Sequence, residues 1–176
     1  MSTLPDAVDP DAFRRTIARW ATGVAVVTAH EAGRDAGLTV NAHLSVSLRP
    51  PLRLVSLTSD ADTTPVIERT HRFAVSILSE GQRPLSERFA QTLSGDEKFA
   101  GLSVRRDADG VAVLDGALAT LRCRVAQVVP IADHRLIIGR VTAVDAGSDG
   151  LPLLFYRSRY GEAAGTDSVR LTHARP

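Results

Sequence analysis

The chain has 176 residues, 44% hydrophobic and 23% charged, a length that fits one domain able to bury roughly 70% of its unfolded surface without a metal or disulfide staple. Its 21 basic side chains, 20 Arg and the single Lys98, meet 20 acidic ones for a net charge of +1, which removes the broad basic field that nucleic acid or an acidic membrane would need. The lone Cys123 cannot close an internal disulfide, and neither a signal-peptide core nor an apolar run of about 18 residues appears, so a cytoplasmic setting away from membranes is expected.

No period repeats and no linker divides the text, which predicts one domain over 9–161 with peripheral tails at 1–8 and 162–176. Asp9, Pro10 and Asp11 suit a helix start. Phe13, Ile17 and Trp20 then recur at helical spacing, and this apolar stripe is expected to face the core. Short β-rich runs follow at 24–29, 37–40 and 52–57, with a polar turn at 31–35. The stretch 63–69, with Thr63 as a cap and an early Pro65, reads as a short helix. Strand texture returns at 73–78, a second helix is predicted over 85–93, and 111–114 is a brief strand. The runs 118–129 and 135–144 alternate apolar and polar residues around 130–134, the pattern of a long hairpin. A last strand is expected at 151–157. Strands dominate and βα alternation is missing, so the predicted fold is mainly β, an antiparallel barrel with a few short helices.

The text contains no G-x-G-x-x-G, no G-x-x-x-x-G-K-[ST], no H-E-x-x-H, no paired C-x-x-C and no G-x-S-x-G elbow. The five histidines, at 30, 43, 71, 134 and 173, lie far apart without ligand spacing, and no metal site is expected. Cys123 falls mid-strand in a half-buried run and reads as a quiet core thiol. Small polar residues gather where strands end: Thr39-Val40-Asn41-Ala42, then Ser45-Val46-Ser47 ahead of Pro50-Pro51. Such a rim would let a flat ring approach backbone amides, and it reads equally as an ordinary polar loop. Thr58-Ser59 and Thr63-Thr64-Pro65 lead into a predicted helix N-terminus, where free N–H groups favour a phosphate, although capping explains the threonines as well.

These fragments, in this order, resemble the short-chain flavin reductases, the reductase halves of two-component flavin-dependent monooxygenases. The resemblance runs from about Phe13 to Tyr160. It is carried by Trp20-Ala21-Thr22-Gly23-Val24, Gly37-Leu38-Thr39-Val40-Asn41, Ser45-Val46-Ser47-Leu48 with Pro50-Pro51, Arg72-Phe73-Ala74-Val75, Lys98-Phe99-Ala100-Gly101, Leu114-Asp115-Gly116-Ala117, Asp133-His134 and Tyr156-Arg157-Ser158-Arg159-Tyr160. It implies a split β-barrel of the FMN-binding type built as a homodimer, with FMN or FAD bound between subunits and reduced by NADH or NADPH through hydride transfer. The reduced flavin would go to a partner monooxygenase.

Carried over by residue, the resemblance places Thr39, Val40, Asn41 and Ala42 beside the isoalloxazine, with Ser45, Val46 and Ser47 as its hydrogen-bonding backbone. Ser56, Leu57, Thr58, Ser59 and Thr63 would line the ribityl and phosphate. Lys98 and Phe99 would approach from the other side, and His134, Arg159 and Tyr160 would meet the nicotinamide nucleotide. His43 and Leu44 stand where such proteins usually carry a bulky apolar residue and then a small hydroxyl one. Two alternatives use the same barrel: a flavin-binding module without turnover, and a reductase whose acceptor is a corrin or ferric chelate.

Overall fold

The structure, a computed structural model, describes residues 8–147 and 149–163; most of both predicted tails, and His173, lie outside them. In chain order the elements are α1 (Pro10–Ile17), β1 (Thr22–Gly23), β2 (Ala25–Glu31), β3 (Arg34–Val40), β4 (His43–Leu48), β5 (Pro51–Thr58), α2 (Thr63–Thr70), β6 (Arg72–Ile77), α3 (Arg83–Phe89), α4 (Gly95–Phe99), β7 (Val104–Arg106), β8 (Ala112–Leu114), β9 (Ala119–Ile131), β10 (His134–Ala146), β11 (Leu153–Tyr156) and β12 (Arg159–Glu162), with a 3-10 turn at Glu80–Gln82 before α3. Every strand pairing is antiparallel, and the fold is mainly β, as expected. Among the described residues no helix is long and apolar enough to cross a membrane.

Seven strands form the main sheet in the order β3-β2-β6-β9-β10-β5-β4; β1-β11-β12 and β7-β8 make two smaller sheets. The strand β2 is central and buried through its first five residues, which explains its near-continuous apolar text instead of an alternating one. Val27, Val55, Leu57, Ile67, Phe73, Val75 and Ile137 form the larger core cluster. Val24, Val26, Leu78, Phe89, Leu114 and Leu153 form a second, under α3 and the β11–β12 hairpin.

Close backbone approaches tie these layers together. A Cβ on Gly139 would lie 2.5 Å from Phe73 Cζ and 2.9 Å from Cys123 Cβ, so β10 can cross Phe73 only without a side chain there. The pairing of β10 with β9 shifts register at this place, between Ile138 and Gly139. A Cβ on Gly37 would likewise meet the Phe89 ring at 2.8 Å, which fixes how closely α3 sits on β3.

Several sequence expectations change. The helix α1 starts where predicted, with the Asp9 carboxylate accepting from the Ala12 N–H at 2.9 Å. Its apolar stripe, however, does not reach the core: Phe13, Ile17 and Trp20 are 61%, 55% and 72% exposed, because nothing among the described residues stands over that face. The stretch 45–47 is not a rim but the middle of β4, whose one strand neighbour among the described residues is β5. Helix α2 is capped at Asp62 instead of Thr63, and no side-chain cap bond forms. His134 is the first residue of β10 and lies outside the hairpin turn, which shrinks to Ala132-Asp133. Cys123 is fully buried instead of half-buried. The helix α4 and the strands β4, β7 and β12 had no predicted counterpart.

Candidate functional site

The largest hollow among those described, about 700 Å³, opens between α1, the β4–β5 pair and the β11–β12 hairpin. Ile17, Trp20, Leu44, Leu54 and Phe155 give it apolar walls, and Asn41, Ala42, Ser56 and Ser158 contribute polar edges. The residue pattern explains this placement. Ser56 N–H donates to the Ala42 carbonyl at 2.9 Å, which draws the 41–42 crossing against β5. Leu44 lies opposite Leu54 on one face of the β4–β5 pair, while His43 lies opposite the buried Val55 on the other. A mostly apolar slot edged by a few polar groups suits a flat aromatic ring system.

Beyond Ser56 the strand leads to a second polar group of residues. Thr58 pairs with His134 across β5 and β10. Ser59 N–H donates to the Asp133 carbonyl at 2.9 Å, and Arg135 Nη1 donates to Ser59 Oγ at 2.8 Å. Thr64 Oγ1 donates to the Thr58 carbonyl at 2.8 Å, holding this loop against the start of α2, whose Thr63 is buried. His134 Nδ1 sits 2.7 Å from Asp133 Oδ1. That hydrogen bond holds the Asp133 carboxyl below the usual range and leaves Nε2 of a half-exposed imidazole free for a ligand.

Other residues expected at the site have internal duties. Val40 and Leu57 are buried in the core, so they can offer a ligand only backbone. Thr39 Oγ1 donates to the Ser86 carbonyl at 2.7 Å, and Ser86 Oγ lies 2.8 Å from the Tyr160 hydroxyl. Tyr160 thus stands behind the cavity wall, with Phe155 between at 5.4 Å, and Arg83 lies over its ring. Ser45 and Val46 are exposed on β4, and Ser47 Oγ accepts from the Arg49 N–H at 3.2 Å. Arg159 and Tyr160 do share a hollow, a separate one of about 490 Å³ lined also by Tyr156 and Arg157. Phe99 packs edge-on to Phe89 at 5.1 Å.

Lys98 is buried, and its Nζ donates to the Gly37 carbonyl at 3.0 Å. It lines a hollow of about 240 Å³ with Glu31, Arg34, Asp35, Asp62 and Arg69, not the large cavity. Burial pushes its ammonium below the usual range, and the nearby Asp62 carboxylate opposes that shift. One proton of the ammonium is spent on Gly37, which leaves two for the hollow.

Sequence reasoning gave no site role to the apolar walls, to Arg53 or to His43. Arg53 donates to His43 Nδ1, and no carboxylate pairs with Arg53 among the described residues. Burial, with the Arg53 charge adding to it, drives His43 down to about 4. The signal was a lone Arg inside the apolar run 52–57. Burial also pushes the Cys123 thiol up to about 12, against the opposing pull of Arg53, so it is inert as a nucleophile. No group of three His, Cys, Asp or Glu able to hold a metal occurs among the described residues.

A family model described as flavin reductase like domain matches residues 17–164. The chain is 37% identical over 154 residues to the reductase component of 4-hydroxyphenylacetate 3-monooxygenase from Thermus thermophilus, covering 85% of this chain and 94% of that one. It is 39% identical over 155 residues to a protein of Streptomyces coelicolor named actinorhodin polyketide dimerase, covering 88% and 86%. Among solved structures it is similar to the styrene monooxygenase flavin reductase of Pseudomonas putida S12, with a TM-score of 0.78, 38% identity, and coverage of 86% of this chain and 96% of that one.

Proposed function

The chain belongs to the flavin reductase like domain family, and on that premise we propose that it is an NAD(P)H-dependent flavin reductase, passing hydride from NADH or NADPH to FMN or FAD and supplying reduced flavin to a partner monooxygenase. The observation that carries this reading is the convergence of Asn41, Ala42 and Ser56 on one apolar slot of about 700 Å³. These three are among the residues expected beside a flavin, yet Ala42 and Ser56 are separated by most of β4 and β5.

Bound flavin supplies the hydride-accepting ring, and the chain's own work is then alignment, exclusion of water and stabilisation of charge. Trp20, Leu44 and Phe155 give the ring apolar cover. Asn41 and the 41–42 backbone offer hydrogen bonds to its polar edge. Thr58, Ser59 and the start of α2 continue away from the slot as a polar track suited to a ribityl phosphate. His134 stands at the end of that track, fixed by Asp133, where it would orient a nicotinamide nucleotide. Hydride transfer itself requires no strong acid or base.

Phe13, Ile17 and Trp20 of the α1 region and Leu44, Val46 and Leu48 of the edge strand β4 are all exposed. So much apolar surface beside the slot favours a homodimer in which the second subunit closes it.

Anaerobic rapid mixing of FMN or FAD with NADH or NADPH tests the enzyme directly. Loss of the visible flavin absorbance on a catalytic timescale is expected for at least one pairing. Flavin that binds and stays oxidised with both nucleotides would make the chain a binding module instead.

A further inference from the structure

Arg53 is the one charged side chain in the run Leu52-Arg53-Leu54-Val55-Ser56-Leu57. Alternation puts it on the face of β5 that carries the buried Val55 and Leu57. Its neighbours across the two adjoining strands are small, Gly139 on β10 and Ser45 on β4, so the long side chain has room to run diagonally to His43. There Nη2 donates to His43 Nδ1, while Nε is buried without a hydrogen-bond partner. Among the described residues no carboxylate pairs with either group. The other titratable side chain beside Arg53 is Cys123 of β9, which burial keeps a neutral thiol. A guanidinium withdrawn from water without a counter-ion is costly, and an apolar side chain in its place is commonly neutral or stabilising. A cation kept under those terms points to a use other than holding the fold together.

The contact also fixes the state of His43. A guanidinium can only donate, so Nδ1 is the acceptor, and the single proton of the neutral ring lies on Nε2. That N–H has no partner among the described residues. His43 stands where β4 begins and is one of the residues lining the large slot. Leu44 and Leu54 present the other face of the same two strands to the slot, so Arg53 lies one layer of backbone beneath its floor. None of the residues lining the slot is acidic, and nothing there cancels the charge.

We propose that Arg53 and His43 form a positive element beneath the slot that favours reduced over oxidised flavin, and so sets how firmly the product is held before it passes to its acceptor. This rests on the flavin reductase reading of the slot. Hydride moving from nicotinamide C4 to flavin N5 carries two electrons and one proton. The nicotinamide leaves as a cation, and the neutral flavin ring gains one negative charge, which it keeps until a proton arrives from water. A fixed cation interacts with that charge and hardly at all with the neutral ring, so its field acts on the difference between the two states. Arg53 is here a positioning residue: it touches no ligand, fixes the His43 tautomer and supplies the field.

The test measures dissociation constants for oxidised FMN and, without oxygen, for dithionite-reduced FMN in the parent and in Arg53→Met. Oxidised FMN is expected to bind within about twofold of the parent, which also shows that the variant folds. Reduced FMN is expected to bind about tenfold more weakly, which lowers the midpoint potential of the bound two-electron couple by about 30 mV. Arg53→Lys should recover part of that loss. Equal weakening of both forms would make Arg53 purely structural and overturn the proposal, and so would an unchanged affinity for reduced FMN. The parent supplies a check that does not depend on the variant folding. Its bound FMN should change potential by about 30 mV per pH unit between about pH 7 and pH 5.5, the slope for one proton per two electrons. A slope of about 60 mV at the acid end, two protons per two electrons, would mean a neutral reduced ring and overturn the proposal. Nitrogen NMR of the flavin-free parent should find the His43 proton on Nε2, and a proton on Nδ1 would equally overturn it. A parent that binds neither form of FMN would overturn the reading of the slot itself.

Discussion

His134 and Lys98 are assigned different parts of the proposed chemistry, and single replacements separate them. His134 has its Nδ1 engaged by Asp133 and little burial to lose, so His134→Ala should leave the fold intact. It should raise the apparent KM for the nicotinamide nucleotide more than about tenfold, with a smaller change in kcat, in steady-state assays. An unchanged KM would remove it from the site. Lys98→Ala acts twice, because Nζ both faces the charged hollow and bonds the Gly37 carbonyl. FMN binding should weaken about tenfold relative to riboflavin, and the urea midpoint should fall by an amount equivalent to about 1–2 kcal/mol. Stability loss with unaltered FMN affinity would make Lys98 purely structural. His43 supplies a pH signature. Its folded value near 4 lies below the usual histidine value of about 6.5, so the neutral form stabilises the fold fully above about 6.5, and that contribution drains away as pH falls through about 4. The charged group facing it is Arg53 of β5, while the buried Cys123 of β9 stays neutral. In urea titrations the parent should lose roughly 1–2 kcal/mol more than His43→Phe between pH 7 and pH 4.5. The residue types at the site were legible in the sequence; their company was not. Nothing in the text tells that Lys98 would turn to Gly37, or that Arg53 would seek His43, because both contacts depend on strand register.

At the scale of elements, the text spoke clearly where a periodic pattern was long. The β9–β10 hairpin could be read from two alternating runs and a short turn. The strand β4 could not, because Ser45-Val46-Ser47 sits at an edge where no second neighbour demands apolar side chains. Helix α4 spans only five residues, too few for periodicity, yet it carried a readable start: Ser94 and Glu97 form a capping box, with Glu97 N–H donating to Ser94 Oγ and the Glu97 carboxylate accepting from the Ser94 N–H. The strand β12 is dictated by its partner β11 more than by its own Arg-Tyr-Gly-Glu text. The crossing of β10 over Phe73 gives a test at this level. Gly139→Ala places a methyl 2.5 Å from the Phe73 ring, and overpacking of this kind costs about 1–3 kcal/mol. A Gly139→Ala/Phe73→Leu double variant should recover much of that loss in thermal unfolding, since the smaller side chain vacates the contested space.

The whole molecule is organised around a slot with one open side. The stripe on α1 was legible as a stripe, and its destination was misread, because a single sequence does not say whether an apolar face meets its own core or another copy. Trp20 is 72% exposed and also lines the slot, so the proposed dimer would couple assembly to ligand binding. Trp20→Glu should shift the protein toward monomer in sedimentation experiments and weaken flavin binding in parallel. A variant that remains dimeric with parental affinity would place the subunit contact elsewhere.

The strand order also bears on how the chain is made. The strand β5 has two neighbours in the sheet: β4, just before it, and β10, whose His134 pairs with Thr58 from 76 positions later in the chain. At synthesis rates of about 5–20 residues per second, those partners emerge roughly 4–15 s apart. During that interval β5 presents a bare hydrogen-bonding edge to its surroundings. The β2–β3 hairpin and β6 can assemble early, since all three belong to the first 77 residues. The half of the sheet that forms the slot must wait for the end of the chain, so a ribosome stalled before residue 134 would hold a nascent protein with its first core partly built and its binding surface still an aggregation-prone ribbon.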